Sequence, residues 1–238
     1  MQLFFTEHTN ENQFTLDAEE SKHLIKVLRK TQGDRVHFTN GKGCLYHCVI
    51  IDANPKKATI KIEDREFQPE DDYYIHLAIS PTKNSDRMEW MIEKLTEIGV
   101  HEITFMESEF SERSHLKLER LEKKIIAASK QSLKTWIPKL NSVRPMEELV
   151  QDTEFNSYQR FIAYVDKEND RHLFDKAKPD NAYLILIGPE GDFSKQEIQL
   201  AFDNHFLPCS LGKSRLRSET AAVAAVHTLQ LINNLKEL

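Results

Sequence analysis

The apolar positions of the chain follow one pattern up to about residue 69 and a different pattern after it. In the first part, short alternating runs typical of half-exposed strands are separated by turn signals, of which Asn40-Gly41 is the strongest. One helix is expected at 18–28, directly after Asp17, which is a favourable residue at a helix start. Several short strands with one helix predict a small β-barrel at residues 1–70.

After a boundary between residues 68 and 72, continuous apolar runs alternate with amphipathic helices. Such runs are typical of strands buried on both faces, and their alternation with helices predicts an α/β domain with a mostly parallel sheet at 73–238. The first helix should begin at Asn84 or Ser85 and end at Gly99, because glycine readily adopts the left-handed conformation of a helix terminus. Strands are expected at 75–79, 102–106, 161–165, 183–187 and 208–211, and longer helices at 116–134 and 221–235.

Two glycine-bearing loops follow the last two predicted strands. The first is Gly188-Pro189-Glu190-Gly191, after which Ser194 and Glu197 form a capping box that opens a helix. The second contains Gly212 and precedes an Ala-rich helix. Ligands of open α/β sheets bind at the carboxyl ends of the strands, so we expect the loops to lie side by side and to hold one small ligand through backbone groups. For either loop alone, an ordinary turn between a strand and a helix is an equally good interpretation.

The two loops and several shorter motifs together carry a family resemblance. The loop motifs are Gly188-Pro189-Glu190-Gly191-Asp192-Phe193, Leu211-Gly212 and Leu216-Arg217-Ser218-Glu219-Thr220-Ala221, and the shorter ones are His23, Leu28-Arg29, Gly33-Asp34, Lys94, Thr96-Glu97, Gly99-Val100, Ser111-Glu112-Arg113-Ser114, Gln131-Ser132 and Ile137-Pro138. They closely resemble the motifs of the bacterial 16S ribosomal RNA uridine N3-methyltransferases, which belong to the SPOUT class of knotted methyltransferases. The sequence departs from the family pattern at Asp192, where glycine is usual, at Ser218, where threonine is usual, and at Lys134, where arginine is more frequent. Asp192 is expected to resist a left-handed backbone conformation, whereas Ser218 keeps the hydroxyl group.

The resemblance implies a complete set of expectations about fold, cofactor and partners. The fold would be an α/β trefoil-knot (SPOUT) methyltransferase domain at 73–238, preceded by a PUA-like β-barrel at 1–70 that binds RNA. The protein would be a homodimer that methylates N3 of a specific uridine in 16S ribosomal RNA, either free or within the small ribosomal subunit. The knotted loops would bind S-adenosylmethionine through Ile187, Gly188, Pro189, Glu190, Gly191, Leu211, Gly212, Leu216, Arg217, Ser218, Glu219 and Thr220.

Methylation of uracil N3 requires that its proton be removed, because N3 is a weak acid at neutral pH. S-adenosylmethionine carries its own leaving group, so the protein must mainly position the two reactants. Glu219 or Glu190 can accept the proton or help to hold the cofactor, and Arg217 can stabilise a developing uracil oxyanion. In the alternative interpretation, Glu219 only complements the positive end of the helix that it opens, and Arg217 only pairs with Glu219.

The charge of the chain is unevenly distributed. The formal net charge is −6, yet residues 22–42 contain six Lys or Arg against one acid, and residues 111–144 contain nine against three. Two basic regions in an acidic protein favour a polyanionic partner, although a basic run is more often a solvated helix face. In an α-helix, Lys22, Lys26, Arg29 and Lys30 would form one cationic stripe. The expected RNA-binding residues are Lys22, Lys26, Arg29, Lys30, Arg113, Lys130 and Lys134.

Composition argues against several other classes of protein. Cys44, Cys48 and Cys209 form no Cys-x-x-Cys pair, and the ten histidines show no ligand spacing, so no metal site is expected and the thiols are expected to be free and mostly buried. No apolar run approaches the roughly 20 residues that span a bilayer, and no secretion signal precedes the first strand. We therefore expect a cytoplasmic protein without membrane contact.

Two other functions remain as alternatives to the methyltransferase. A catalytically silent RNA-binding protein would keep the barrel and the basic helix, but it would not need the paired loops. A nucleotide-phosphate binder would use glycine turns at helix starts, but neither loop has the Gly-x-x-x-x-Gly-Lys-Ser/Thr or Gly-x-Gly-x-x-Gly spacing.

Overall fold

A computed structural model describes residues 2–8, 11–111, 116–164 and 171–235. The residues group into two compact units: the first contains 1–70 together with 129–137, and the second contains 71–128 and 138–238. The grouping of 129–137 with the N-terminal residues has no counterpart in the predicted division at 1–70 and 73–238, which rests on sequence alone.

The first unit is built on one curled five-stranded sheet with the order β1-β3-β4-β5-β2. β1 pairs with β3 in parallel, and the other neighbours pair antiparallel. Apolar residues on the inner face, among them Phe38, Ile50 and Ile60, are fully buried and form the core. The strands are β1 (Leu3–Phe5), β2 (Gln13–Thr15), β3 (Arg35–Thr39), β4 (Cys44–Asp52) and β5 (Thr59–Phe67).

The helix of the first unit changes its winding halfway along. It begins as α1 (Ala18–Lys22), where the Asp17 side chain accepts a hydrogen bond from the Glu20 N–H at 2.8 Å. It continues as a π-helical turn, His23–Val27, and ends at Leu28. The predicted helix at 18–28 is thus present, but only its first part is α-helical. In the π-turn, hydrogen bonds join residues i and i+5, and the backbone rotates less per residue than in an α-helix.

Residues 129–137 are attached to the first unit by backbone hydrogen bonds. The Gly43 N–H donates to the Thr135 carbonyl at 3.0 Å, and the Ile137 N–H donates to the Gly41 carbonyl at 3.0 Å. The indole nitrogen of Trp136 donates to the Gln68 carbonyl at 2.9 Å. These bonds join segments about 70 to 95 residues apart in sequence, a kind of contact that local propensity does not reveal.

The second unit is built on a six-stranded sheet with the order β11-β9-β10-β6-β7-β8, in which every neighbouring pair is parallel. The predicted mostly parallel sheet is therefore confirmed. β8 was not predicted, because it is a half-exposed strand at the edge of the sheet whose polar and apolar residues lack a clear period. The strands are β6 (Tyr74–Ile79), β7 (Glu102–Glu107), β8 (Lys139–Pro145), β9 (Gln159–Ala163), β10 (Ala182–Ile187) and β11 (Leu207–Cys209).

Two helices pack together on one face of this sheet. α2 (Ser85–Ile98) starts at Asn84, whose side chain accepts from the N–H groups of Asp86 and Arg87, and it ends at Gly99 with φ +110°. Both ends agree with the sequence prediction. α7 (Ser218–Asn234) packs against α2 and against β6 and β10. The remaining helices are α3 (Leu118–Gln131), α4 (Met146–Val150), α5 (Leu173–Lys176) and α6 (Lys195–Asp203), with a 3-10 turn at Thr153–Ser157.

The opposite face of the sheet is covered by α4 and α6. Ala78, Leu184 and Leu186 of the sheet pack there against Leu149 and Ala201, all of them fully buried. Among the described helices, none combines the length and the hydropathy that a membrane span requires.

Candidate functional site

The loops singled out in the sequence emerge at one edge of the parallel sheet. Ile187, the last residue of β10, is in register with Ile79 of β6 and with Ala163 of β9. Cys209, the last residue of β11, is also in register with Ala163. β9 thus lies between β10 and β11, so the two loops leave the same edge of the sheet but follow strands that are not neighbours.

The glycines of the loop at 188–194 make room for the protein's own aromatic rings. A Cβ atom at Gly188 would lie 3.1 Å from the ring of Phe193, and one at Gly191 would lie 3.1 Å from Cβ of Phe110. Neither glycine has a positive φ. Close internal packing therefore accounts for these two glycines, without the approach of a ligand that the sequence suggested.

Asp192 adopts the left-handed conformation that we expected it to resist, with φ +65°. Its N–H donates to the Pro189 carbonyl at 3.0 Å, and its side-chain oxygen accepts from the Phe193 N–H at 2.9 Å. Aspartate tolerates this conformation better than most residues because its short polar side chain bonds locally to the backbone. The departure from glycine at this position therefore leaves the turn intact.

The predicted capping box at the start of α6 is confirmed. The Ser194 hydroxyl accepts from the Glu197 N–H at 3.3 Å, and the Glu197 carboxylate accepts from the Ser194 N–H at 2.8 Å. The other oxygen of Glu197 accepts from the Glu109 N–H at 2.8 Å. One carboxylate thus connects the loop after β10 to the loop after β7, which stabilises the edge of the sheet.

The loop after β11 provides the open backbone that a ligand requires. Gly212 has φ +117°, and a Cβ atom there would meet no atom within 4 Å. The Ser210 hydroxyl accepts from the Gly212 N–H and donates to its carbonyl, both at 3.2 Å. In the part of the chain that the structure describes, the peptide groups of Leu211 and Leu216 have no hydrogen-bond partner. Free peptide groups beside open space fit a cofactor with a purine and a ribose, such as S-adenosylmethionine.

A cleft of about 600 Å³ lies between the start of α2 and the start of α7. α7 contributes its first turn and the segment before it, and α2 contributes one side of its first two turns. The lining residues are Asp86, Arg87, Trp90, Arg215, Leu216, Arg217, Glu219 and Thr220. Four of the predicted cofactor residues, Leu216, Arg217, Glu219 and Thr220, are therefore brought together in this cleft.

Glu219 is the most unusual polar group in the cleft. It is 6% exposed, and one carboxylate oxygen lies 3.7 Å from Nε of Arg87. The other oxygen, Oε2, is buried and has no hydrogen-bond partner among the described residues. A buried carboxylate oxygen without a partner is energetically unfavourable in the free protein, which makes it a candidate for contact with a ligand.

The three predicted catalytic residues do not lie together. Arg217 is exposed at the N-cap position of α7 and lines the cleft next to Glu219. Glu190 is exposed in the turn after β10, and it is not among the residues that line the cleft in the described structure. The geometry thus separates Glu190 from the pair formed by Arg217 and Glu219.

Arg87 and Trp90 were missed by the sequence analysis. Both lie on α2, more than 120 residues before Glu219, so no local motif connects them to the loops. One signal was available: Trp90 is a large apolar residue outside the buried stripe of Met88, Met91 and Leu95, and it is 45% exposed. An exposed tryptophan in an amphipathic helix is a reason to suspect contact with a partner.

The predicted cationic stripe does not follow α-helical spacing. Lys22 and Lys26 are exposed, but Lys26 lies in the π-turn, which changes its angular position relative to Lys22. Arg29 and Lys30 come after the end of the helix, and Arg29 has φ +55°. The expectation of four cations on one face of a helix is therefore wrong, although Lys22, Lys26 and Arg29 remain exposed.

Part of the second basic region is occupied by interactions within the protein. Nζ of Lys130 lies 2.6 Å from a Glu20 carboxylate oxygen and 5.6 Å from the centroid of the Phe4 ring. On α3, Arg120 pairs with Glu89 at 2.6 Å, and Lys124 pairs with Glu93 at 3.4 Å. Lys134 is half-buried, and its N–H donates to the Ser129 carbonyl at 3.0 Å. Arg113 lies outside the described residues.

The cysteines take no part in the cleft. All three are free thiols, and burial raises the pKa values of Cys48 and Cys209 to about 12, so these two are not nucleophiles at neutral pH. Within the described ranges, no three His, Cys, Asp or Glu side chains come together in a way that could hold a metal ion.

Sequence comparisons match each of the two parts of the chain to a domain of RNA methyltransferases. A family model described as an RNA methyltransferase domain matches residues 69–230, and one described as an RNA methyltransferase PUA domain matches residues 16–63. Ribosomal RNA small subunit methyltransferase E of Mesomycoplasma hyopneumoniae is 32% identical, and the match covers 94% of this chain and 96% of that protein. Ribosomal RNA small subunit methyltransferase E 1 of Borreliella burgdorferi is 28% identical, with 92% and 93% covered.

Solved structures with the same fold include two that span both units. A probable rRNA-methyltransferase from Porphyromonas gingivalis is 40% identical with a TM-score of 0.92, and the match covers 99% of each chain. A ribosomal RNA small subunit methyltransferase E from Neisseria gonorrhoeae, bound to S-adenosyl methionine, is 25% identical with a TM-score of 0.87 and 98% of each chain covered.

Proposed function

Because the chain belongs to the RNA methyltransferase family, we propose that it transfers a methyl group from S-adenosylmethionine to N3 of a uridine in small-subunit ribosomal RNA. Its methyltransferase domain and its PUA domain are both matched by family models, and its relatives are ribosomal RNA small subunit methyltransferases. The resemblance of the paired loops to this family is confirmed. So is the fold class, a knotted SPOUT methyltransferase domain preceded by a PUA-like domain.

The loops that hold S-adenosylmethionine are those after β10 and β11. The open space at Gly212 and the free peptide groups of Leu211 and Leu216 support the assignment of the cofactor to this part of the chain. When bound, S-adenosylmethionine supplies the methyl group and a sulfonium leaving group. The full proposed set is Ile187, Gly188, Pro189, Glu190, Gly191, Leu211, Gly212, Leu216, Arg217, Ser218, Glu219 and Thr220.

Glu219 is the residue that we assign to the N3 proton. A buried carboxylate with one free oxygen is a good hydrogen-bond acceptor for a uracil N3–H, and removal of that proton makes N3 nucleophilic. Arg217, beside it in the cleft, stabilises the charge that develops on the uracil oxygen. Glu190 is the alternative proton acceptor, but its exposed position outside the cleft supports a role in holding the cofactor.

The single observation that carries the function is the buried, unpartnered carboxylate oxygen of Glu219, a residue that lines the cleft together with other residues of the loop motif. The test is to incubate the purified protein with ribosomal RNA from cells that lack the gene and to identify methylated nucleosides by mass spectrometry. We expect 3-methyluridine from the wild-type protein. Glu219→Gln should reduce the rate about 10²- to 10⁴-fold, the usual contribution of a positioned acid or base.

Two further variants test whether the decrease in methylation rate is specific to Glu219. Glu148→Gln changes an exposed glutamate on α4 and should leave the rate unchanged. Glu190→Gln should affect cofactor affinity more than the maximal rate. A wild-type protein that binds the RNA but never methylates it would favour the alternative of a catalytically silent RNA-binding protein.

Further parts of the proposal concern the RNA, the assembly and the compartment. Lys22, Lys26 and Arg29 are exposed on the PUA-like unit and are proposed to contact phosphate groups, with Lys30, Arg113, Lys130 and Lys134 as weaker candidates. The protein is proposed to act as a homodimer, as the resemblance implies, and in the cytoplasm, where a ribosomal RNA substrate is found. No metal ion is required for this chemistry.

A further inference from the structure

One wall of the cleft has no role in the proposed methyl transfer. It is formed by Asp86, Arg87 and Trp90 of α2, and Trp90 lies three residues after Arg87 and four after Asp86, so it shares one side of the helix with them. The side chain of Trp90 is 45% exposed, although the helix buries Met88 and Met91 on its other side. Within the described residues, no aromatic ring stacks on the Trp90 indole.

The charged side chains around Trp90 indicate that its binding partner is a polyanion and not an apolar surface. Three guanidinium groups, from Arg87, Arg215 and Arg217, face the cleft together with two carboxylates. Arg215 and Arg217 are exposed, and neither has an ion pair in the part of the chain that the structure describes. Unpaired arginines beside an exposed aromatic ring are the usual combination for binding single-stranded nucleic acid, since phosphates meet the cations and bases stack on the ring.

The chemistry of the substrate requires such a stacking surface. N3 of uracil is on the edge that forms Watson–Crick pairs, so a base can be methylated there only when it is unpaired. An enzyme that acts on this atom must bind an extruded or single-stranded base, and it compensates for the lost stacking with its own aromatic or apolar side chains. The cleft volume of about 600 Å³ lies within the range of sites for small ligands, which is roughly 300–1,000 Å³, so a nucleotide can enter.

We propose that Trp90 is a stacking platform for an unpaired nucleobase of the RNA substrate at the cleft of Glu219. Arg215 binds an adjoining phosphate group, and Arg87 is a positioning residue that holds the Glu219 carboxylate through their ion pair at 3.7 Å. The inference rests on the proposed function, because it assigns the RNA to the same site. The proposed occupant of the Trp90 surface is RNA. The test must distinguish it from a second copy of this chain that covers Trp90.

The experiment uses the fluorescence of Trp90. The chain has two tryptophans, so Trp136→Phe leaves Trp90 as the sole reporter. A single-stranded oligonucleotide that contains uridine should quench this fluorescence, because a stacked base contacts the indole directly. In the native background, labelled RNA followed by anisotropy should bind Trp90→Ala about 5- to 150-fold more weakly, the effect expected for the loss of one base–aromatic stack. Trp90→Phe should restore most of the affinity.

A control variant tests whether the loss of RNA affinity is specific to Trp90 among the exposed aromatic side chains. Phe174→Ala removes an aromatic ring that is 52% exposed on α5 and does not line the cleft, and it should not change RNA affinity. A urea unfolding midpoint equal to that of the wild type shows that Trp90→Ala is folded. The inference is overturned if RNA does not quench Trp90 and Trp90→Ala binds as tightly as wild type. It is also overturned if Trp90→Ala changes only the sedimentation of the protein, since Trp90 would then lie between two copies.

Mass spectrometry of the methylated RNA separates this inference from the function on which it rests. If wild type and Trp90→Ala methylate the RNA with the same KM, the function stands and the stacking proposal fails. If RNA quenches Trp90 but the wild-type protein produces no methylated nucleoside, the stacking proposal stands and the function fails.

Discussion

At the scale of the residue, Glu219 and Gly212 contribute different features to the proposed site, a buried carboxylate and open space. Glu219 contributes a buried charged group whose free oxygen has lost its hydration, with Arg87 as its ion-pair partner. Gly212 contributes space, because a Cβ atom at this position would meet no atom within 4 Å. A polar group that is incompletely satisfied in the free protein, beside open backbone, is a common arrangement at binding sites.

A residue-scale prediction concerns Gly212→Val. The new side chain would occupy the open space, so we expect S-adenosylmethionine affinity to fall below detection by calorimetry, while RNA affinity stays within about twofold. Valine also strains a position with φ +117°, which costs roughly 1–2 kcal/mol of stability by itself.

Gly33→Val is the matched control for that strain. Gly33 has φ +91° and no atom within 4 Å of a Cβ position, but it lies in the first unit. Both variants should lose similar stability in urea, and only Gly212→Val should lose the cofactor. Unchanged cofactor affinity in Gly212→Val would move the site away from this loop.

At the scale of the element, β6, β7 and β8 share a buried polar cluster. His76 of β6 accepts from or donates to the Thr104 hydroxyl of β7 at 2.7 Å, and Asn141 of β8 donates to the Thr104 hydroxyl at 2.8 Å. The Glu102 carboxylate accepts from Lys139 at 2.8 Å. Burial lowers the pKa of His76 to about 4, against the opposing effect of the Glu102 charge 4.0 Å away, so the ring is neutral at pH 7.

The cluster predicts an acid-sensitive second unit. Because the pKa of His76 is lower in the folded protein than in the unfolded chain, folding excludes a proton between about pH 6.5 and pH 4. The free energy of unfolding should therefore decrease as pH falls through this window, by about 3 kcal/mol in total from this residue. Urea unfolding at pH 7, 5.5 and 4.5 measures the effect.

His76→Gln removes the titrating ring and should flatten this pH dependence. The matched control is His205→Asn, which changes an exposed histidine directly after α6 and should behave like wild type, because asparagine tolerates the left-handed backbone of this position. If His76→Gln loses stability with acid as steeply as wild type does, the sensitivity arises from another group.

A second element-scale prediction concerns the helix of the PUA-like unit. Lys22 lies in α1 and Lys26 in the π-turn, and both are exposed. If both contact phosphates, Lys22→Ala with Lys26→Ala should flatten the log–log salt dependence of RNA binding by roughly one unit per lost contact. Cofactor affinity should not change.

The control for charge alone is a second pair of lysines. Lys56→Ala with Lys57→Ala removes two exposed lysines from the turn between β4 and β5, so the net charge of the protein changes by the same amount. An equal effect of the two pairs would mean that general electrostatic attraction, and no particular contact, accounts for Lys22 and Lys26.

The elements also show which features can be predicted from sequence. The helix ends at Asn84, Gly99 and Ser194 could be predicted, because the groups that decide them lie within a few residues of one another. The cleft could be predicted only on the side of α7, where the motif residues are contiguous. The α2 side depends on the packing of α2 against α7, and Trp90 and Arg87 meet Glu219 only through that long-range contact.

At the scale of the whole molecule, the open question is which surface would join two copies. From the sequence, α7 is expected to form part of the homodimer interface through Val223, Val226 and Leu229 or their neighbours. Val226 and Leu229 are fully buried within the chain, so of these three residues only the partly exposed Val223 is placed to contact a second copy. The outer side of α7 instead carries Val223, His227 and Leu231 at intervals of four residues, and Leu231 is 37% exposed. An interface of the proposed homodimer that uses α7 would contain this outer side.

The last prediction tests whether the two copies share their active sites. One inactive homodimer carries Lys22→Ala with Arg29→Ala in the RNA-binding unit, and another carries Gly212→Val in the cofactor loop. If the RNA-binding unit of one copy serves the cleft of the other, a mixed dimer contains one site with both parts intact. It should then recover up to about half of the wild-type activity per dimer, scaled by the fraction of mixed dimer, which follows from twofold symmetry.

Subunit exchange must be demonstrated independently, for example by mass spectrometry of the intact dimer with one isotopically labelled copy. A mixed dimer that forms but recovers no activity would mean that each chain uses its own RNA-binding unit and its own cleft. Two copies of the same inactive variant provide the baseline, since exchange between them cannot restore an intact site. The homodimer itself is tested in the same sample, because a protein that sediments as a monomer at the assay concentration excludes shared sites of any kind.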